Sequence, residues 1–316
     1  VTLAAYHLRE QGKLLRGSLL PFTISTGKEV FKELIFNQNK IQEKESNGKG
    51  ISVSFQDISV SYRSVKGEPK KIYEHLNLDL YKGEKIALIG SNGAGKSTLM
   101  KLMTGLVKPN EGEIYLKDIS VGDTKPERLS RYVSMVYQNP EDMFIMDSIE
   151  ADIAYAMKVR DVEDWQERTS GLLERFRLTD IKDHDGRLLS GGQMRRASLA
   201  IGVALCPEIL LLDEPTANLD IATRKEIMKT LKDIEDVTDT VMIATHDMQL
   251  VSEWAERIIV LDQGKVIADG SRNEVFGNKK VVEKAGIRPP EIFSMGKALH
   301  EDAFCYTVEE FLQSFV

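Results

Sequence analysis

One stretch limits what this chain can fold into more than any other. Gly90-Ser91-Asn92-Gly93-Ala94-Gly95-Lys96-Ser97 fits the pattern G-x-x-x-x-G-K-[ST] in full. The apolar run Ile86-Ala87-Leu88-Ile89 leads into it and Ser97-Thr98-Leu99-Met100 leads out, an order of strand, loop and helix. Glycines at these positions let backbone N–H groups turn inward around phosphate oxygens, and the helix that follows points its positive end at them. Lys96 reaches toward β- and γ-phosphates, and Ser97 offers a hydroxyl to Mg²⁺. By average residue frequencies the pattern arises by chance in roughly 1% of chains this long.

Two later runs, Ile209 to Leu212 and Val241 to Ala244, are short, apolar and followed by polar turns, as buried parallel strands are. Upstream, Val53, Phe55, Ile58 and Val60 alternate, broken at Gln56-Asp57, and Ile72 to Leu80 follows; both read as antiparallel strands. From about Pro140 to Leu189 the chain is helical and charged in pattern, as in Trp165 to Phe176. The predicted fold is α/β: a parallel-sheet core with an antiparallel β subdomain and a helical subdomain, running from residue 51 to about residue 276. Gln38 to Gly50 is polar and Gly-bearing and reads as a linker, so residues 1–50 form an N-terminal segment with its linker. Residues 277–316 form an accessory tail with Pro289-Pro290 and one short amphipathic helix.

Composition excludes several classes. Forty-two Lys+Arg against 49 Asp+Glu leave a net charge of -7, and no basic block could track a phosphate backbone, so no nucleic-acid partner is expected. The longest apolar stretches are far short of the roughly 18 residues of a membrane span. Cys206 and Cys305 form no C-x-x-C pair, which suits a reducing compartment rather than a disulfide framework or a zinc site. The opening VTLAAYHLREQGKLL mixes charges into its apolar positions, unlike a signal peptide, and reads as a stretch cut from a longer chain.

A second motif is rarer still. Leu189-Ser190-Gly191-Gly192-Gln193 has a chance frequency of well under about 0.1% by the same arithmetic. Ser190 predicts an N-cap before an Ala/Leu-rich helix, and the two glycines clear that helix start for an anion. Together the two motifs resemble the ATP-binding-cassette (ABC) ATPases, over about residues 51–276. The resemblance implies the P-loop NTPase fold, with ATP and Mg²⁺ as cofactors. Ser91, Asn92, Gly93, Ala94, Gly95, Lys96, Ser97 and Thr98 then hold the phosphates. Ile209-Leu-Leu-Leu-Asp213-Glu214-Pro215 looks like the Walker B strand, with Asp213 holding Mg²⁺ and Glu214 polarising the attacking water; alone, such a pair is also read as solvated turn residues. Gln138 matches the glutamine loop, a further metal contact, and His246 the switch histidine at the γ-phosphate. Lys96, Gln138, Glu214 and His246 are the implied catalytic set, and Ser97, Gln138 and Asp213 the implied metal ligands. Tyr62, 28 residues before Gly90, stands where the family stacks an aromatic on adenine; read alone it is also a strand tyrosine packed on a neighbour. Ser190, Gly191, Gly192 and Gln193 serve the nucleotide of a second cassette in that family, so the resemblance implies a homo- or heterodimer. Ala217-Asn218-Leu219-Asp220 resembles the D-loop between cassettes, with Ile221 where proline is common.

Gln138-Asn139-Pro140-Glu141-Asp142, then Asp152-Ile153-Ala154, and Gly286-Ile287-Arg288-Pro289-Pro290 are similar to energy-coupling-factor importers and related cobalt or nickel systems; Met143 departs from their usual glutamine. That likeness implies transmembrane coupling and substrate-binding subunits, a place at the cytoplasmic face of the membrane, and a vitamin, vitamin precursor or transition-metal ion as cargo. The alternative is a soluble ABC ATPase acting on ribosomes or DNA. Leu189 follows Gln138 by 51 positions, too few for the long coiled coil of DNA-repair members.

One repeat crosses the domains. Thr307-x-x-Glu310 reads as a capping box followed by Phe311, Leu312, Phe315 and Val316, at offsets 4, 5, 8 and 9. Thr26-x-x-Glu29 is followed by Val30, Phe31, Leu34 and Ile35 at the same offsets. Capped amphipathic helices are common, yet the match predicts that residues 1–37 are the tail of a preceding cassette, with the second ATPase domain fused in the same chain.

Overall fold

The computed structural model describes residues 1–11, 13–14, 20–37, 50–63, 69–217 and 219–315. Along the chain come α1 (Thr2–Glu10), α2 (Ile24–Phe31), β1 (Ile51–Tyr62), β2 (Lys70–Tyr81), β3 (Lys85–Gly90), α3 (Lys96–Met103), β4 (Glu111–Leu116) and β5 (Ile119–Ser120). There follow α4 (Pro126–Leu129), β6 (Val133–Val136), α5 (Ile149–Val159), α6 (Trp165–Arg175), α7 (Gly191–Val203), β7 (Ile209–Asp213), α8 (Ile221–Glu235) and β8 (Thr240–Ala244). The last elements are α9 (Met248–Trp254), β9 (Arg257–Asp262), β10 (Lys265–Gly270), α10 (Arg272–Phe276), α11 (Lys279–Ala285), α12 (Glu291–Leu299) and α13 (Val308–Ser314). The chain divides into two compact units, one of residues 46–247 and 259–268, the other of 1–45, 248–258 and 269–316.

In the larger unit a six-stranded sheet runs β10-β9-β3-β8-β7-β6, and β3, β8, β7 and β6 are parallel. All five residues of β7 and all five of β8 are buried, which is why both read as apolar runs without alternation. Fully burying each such Leu or Ile side chain contributes about 1.5–3 kcal/mol. The register sets the site: Leu88 and Asp213 both pair with Ala244, and Val136 pairs with Leu212. Four chain exits therefore lie along one carboxyl edge: the glycine loop, Asp213-Glu214, Thr245-His246 and Gln138.

A second sheet, β2-β1-β4-β5, is antiparallel and shares a core with the first through Phe55, Ile58, Leu80, Leu88, Leu99 and Leu211. Its predicted alternation breaks at Gln56-Asp57 because β1 bulges between Phe55 and Ile58. Asp57 and His75 both take positive φ there, and their side chains meet at 2.8 Å. The helical segment between Pro140 and Leu189 holds α5, capped by Ser148, and α6.

The smaller unit corrects two expectations. The tail holds three helices rather than one. α11 ends at Gly286 in the left-handed region (φ 63), and Pro290 is the N-cap of α12, so the G-I-R-P-P run is a helix stop followed by a start. The predicted box at Thr307 forms with Glu310, but the one at Thr26 does not. Thr23 is the N-cap of α2, and Thr26 is its box partner. The helix thus starts three residues early and ends at Phe31, which leaves Ile35 74% exposed rather than on its apolar face. Val316, the last residue of the proposed repeat, and residues 38–49 of the linker lie outside the described residues. One apolar core holds this unit together: Ala4, Ala5, Leu8 and Phe31 pack with Ile292, Met295, Ala303, Cys305, Phe311 and Phe315. Burial there pushes the Cys305 thiol up to about 11, so it stays protonated.

Candidate nucleotide site

The phosphate loop is fixed from beneath. Gly90, Gly93 and Gly95 all have φ between +82 and +151, and a Cβ at Gly90 would sit 2.2 Å from the Leu261 carbonyl. Gly95, the N-cap of α3, rests on Tyr73, whose buried hydroxyl donates to the Gly95 carbonyl at 2.8 Å. Burial raises the Tyr73 phenol, so it remains a donor. The Lys96 ammonium donates to the Gly90 and Ser91 carbonyls at 2.7 and 3.2 Å. Burial lowers its pKa, and the nearby Glu214 and Asp213 carboxylates oppose that shift. Ser91 to Gly95 form the turn between β3 and α3, and Thr98 lies in the first turn of the helix, its hydroxyl 3.4 Å from that of Tyr62. Tyr62 is 41% exposed, a strand-end aromatic with a face free to stack on a base.

Ser97, Gln138 and Asp213, far apart in sequence, line one cavity of ≈ 600 Å³ with Lys101, Tyr137 and Met194. Asp213 is buried, which raises its pKa; its hydrogen bond with Ser97 and the Lys96 charge pull the other way. Among the described residues no group of three or more His, Cys, Asp or Glu could hold a metal alone. A hydroxyl, a carboxylate and an amide oxygen at one wall instead fit Mg²⁺, which keeps several waters and shares its shell with phosphate oxygens. When bound, the cation offsets phosphate charge; these three side chains would hold it.

Glu214 follows Asp213 in a strained conformation, φ 48 on a non-glycine residue, and its N–H donates to the Ala244 carbonyl at 2.8 Å. Its carboxylate accepts from the Thr245 hydroxyl at 3.1 Å and meets His246 Nδ1 at 2.9 Å. The His246 side chain is otherwise 73% exposed. A carboxylate held on both oxygens at a strand end can orient a water beside the γ-phosphate.

Ser190, Gly191, Gly192 and Gln193 line a second cavity of ≈ 480 Å³ with Leu219, Asp220 and Thr223. Ser190 is the N-cap of α7, as predicted, and Gln193 closes the capping box by accepting from the Ser190 N–H at 3.1 Å. Apart from its chain neighbours and its own helix backbone, nothing lies within 4 Å of where a Gly191 Cβ would be, so this helix start is open to a ligand. Asn218, in the stretch that resembles a D-loop, lies outside the described residues.

Three contributors were not found from sequence. Tyr73 carries no motif signal, being one strand tyrosine among several. Thr245 was masked by its neighbour His246. Arg195, buried on α7, donates to the Tyr137 carbonyl at 3.3 Å and ties the segment before Gln138 to the helix that Ser190 starts.

Residues 73–217 match the ABC transporter family. An energy-coupling factor transporter ATP-binding protein, EcfA1, of Caldanaerobacter subterraneus subsp. tengcongensis is 33% identical over 267 residues, 82% of this chain and 96% of that one. This chain belongs to the ABC transporter ATP-binding proteins. A putative ABC transporter ATP-binding protein of Clostridium acetobutylicum is 36% identical over 243 residues, 74% of this cassette's chain and 85% of its own. Among solved structures, cbiO1 of Clostridium perfringens, part of the ABC transporter complex cbiONQ, superposes with a TM-score of 0.65 at 28% identity, over 77% of this chain and 98% of that one. The dimeric, post-hydrolysis ATP-binding cassette MJ0796 bound to ADP and Pi gives 0.62 at 28% identity, over 69% and 98%. The fold is that of the P-loop ATPase cassettes, and this cassette is an ATP-binding ATPase.

Proposed function

We propose that the cassette drives import of a small solute by hydrolysing ATP with Mg²⁺ at the cytoplasmic face of a membrane, paired with a second cassette and docked on transmembrane coupling and substrate-binding subunits. The observation that carries this reading is the convergence of Ser97, Gln138 and Asp213 on one cavity wall, with Glu214 held by His246 and Thr245 on the same strand edge. Backbone donors and Lys96 bind the phosphates, Glu214 orients water, and His246 fixes Glu214. Ser190 to Gln193 supply donors to the nucleotide on the other cassette. The relatives' energy-coupling-factor names support a vitamin, vitamin precursor or transition-metal ion as cargo.

Gln138 leads directly into the exposed turn Pro140–Met143 and then α5, so nucleotide state at the cavity passes to that surface. The test is uptake by vesicles holding the cassette with its membrane subunits. Glu141→Lys, on that turn and outside the cavity lining, should lose most uptake while phosphate release stays within about twofold. Undiminished uptake in Glu141→Lys and its neighbours moves the docking surface elsewhere. A cassette that fractionates with ribosomes or DNA instead of membranes contradicts import.

A further inference from the structure

The smaller unit holds two helix pairs of similar pattern, α1 with α2 and α12 with α13. α1 and α12 are each nine residues long. Placing Val1 on Ile292 puts the buried pair Ala4-Ala5 on the buried pair Met295-Gly296, Leu8 on Leu299 and Glu10 on Glu301. Placing the N-cap Thr23 on the N-cap Thr307 puts Ile24 on Val308, the box partner Thr26 on the box partner Glu310, and fully buried Phe31 on fully buried Phe315. In this register Gly27 falls on Phe311 and Lys28 on Leu312, so what survives the correction at Thr23 is a repeat of caps and buried positions rather than of side chains. The copies differ by one insertion: twelve residues separate Glu10 from Thr23, five separate Glu301 from Thr307.

Packing follows the same duplication. α1 lies against α13 and α2 lies against α12. Gly27 brings α2 so close that a Cβ there would sit 2.6 Å from Met295 Sδ. Reciprocal contact, first element on second and second on first, is the property of a self-complementary two-fold interface. Beyond the helices, Phe36 and Phe315 form an antiparallel bridge, with the Asn37 N–H donating to the Ser314 carbonyl at 2.7 Å. The Phe31–Phe311 and Phe36–Phe315 ring pairs both lie 5.4 Å apart.

We propose that residues 1–36 are a second, divergent tail, contributed by an ATPase cassette that precedes this one in the same polypeptide. A tail of this kind follows its cassette, as residues 277–316 follow 51–276; a copy ahead of residue 51 stands where an earlier cassette ends. The segment 38–50 spans at most about 45 Å, the length of a short tether between halves. The pairing face of the 292–316 tail is therefore filled within the chain, and the partner of the Ser190 helix start is the preceding cassette rather than a second copy of this one. This rests on the reading of the chain as one of two paired cassettes, but its test needs no hydrolysis.

Two measurements decide it. An antibody against residues 51–276 should detect, in the native source, a polypeptide nearly twofold larger than the 35.5 kDa of this chain. A native polypeptide of this chain's own size overturns the proposal. Light scattering on the 316-residue chain without nucleotide should give the monomer mass, because the tail face has no vacancy. A stable nucleotide-free dimer that Phe311→Asp dissolves, with circular dichroism unchanged, overturns it independently.

Discussion

Two cavities of the larger unit are built to opposite plans. Beside the phosphate loop, the cation of Lys96 and the carboxylates of Asp213 and Glu214 are buried, and the backbone is held at positive φ at Gly90, Gly93, Gly95 and Glu214. At the start of α7 nothing packs over Gly191, and the polar side chains are already engaged: Gln193 with the Ser190 N–H, Asp220 with the N–H groups of Ala222 and Thr223. The first wall is organised to bind and activate. The second offers backbone donors and a helix end, useful only to an anion brought from outside. The difference fits the proposed roles, with chemistry in the first and the second completing another cassette's site.

Filling the second cavity should break the comparison most severely. Ser190→Arg places bulk and charge at the open helix start; it should cut steady-state hydrolysis by the ~10²–10³-fold typical of losing preorganised donors. Nucleotide affinity of the same chain, measured by fluorescence titration, should hardly change. A large affinity loss would mean that α7 serves its own nucleotide. Tyr62→Ala probes the first site's rim: losing one stacked ring costs about 1–3 kcal/mol, or roughly 5–150-fold in ATP affinity, with turnover at saturation preserved. Unchanged affinity would return Tyr62 to a packing role.

The smallest effect is on stability. Burial holds Asp213 above the usual carboxylate range, so its ionised form costs stability in the nucleotide-free protein. The sign follows: the cost is absent below the ordinary carboxylate pKa and grows as pH rises through the raised one. Asp213→Asn should therefore melt a few degrees higher than wild type at pH 7, with the gain vanishing near pH 4, while its Mg²⁺-dependent rate collapses. A gain over wild type no larger at pH 7 than at pH 4 would show that burial of the Asp213 charge costs nothing.

Legibility differs between regions for physical reasons. Gly90 to Ser97 and Ser190 to Gln193 are readable because backbone donors need glycines at fixed places, and strand ends are readable because β7 and β8 are buried on both faces. The positive φ of Glu214 and the Tyr73 support under Gly95 depend on strands distant in sequence, so no local pattern carries them. In the tail, α11 (KKVVEKA) has no clean apolar stripe and α12 includes Gly296, which hides two of three helices. Thr26 misled because threonine serves equally as N-cap or as the N3 partner, and only the backbone decides.

The division of labour within the first cavity is the central claim, and nucleotide binding measured beside hydrolysis in two variants tests it most directly. Lys96→Ala should lose ATP binding and hydrolysis together, because the buried ammonium is the cation that the loop offers to the phosphates. Glu214→Gln should bind ATP as tightly as wild type and hydrolyse almost none, retaining the nucleotide after the Lys96→Ala protein has released it. Equal loss of affinity in both variants would contradict the account.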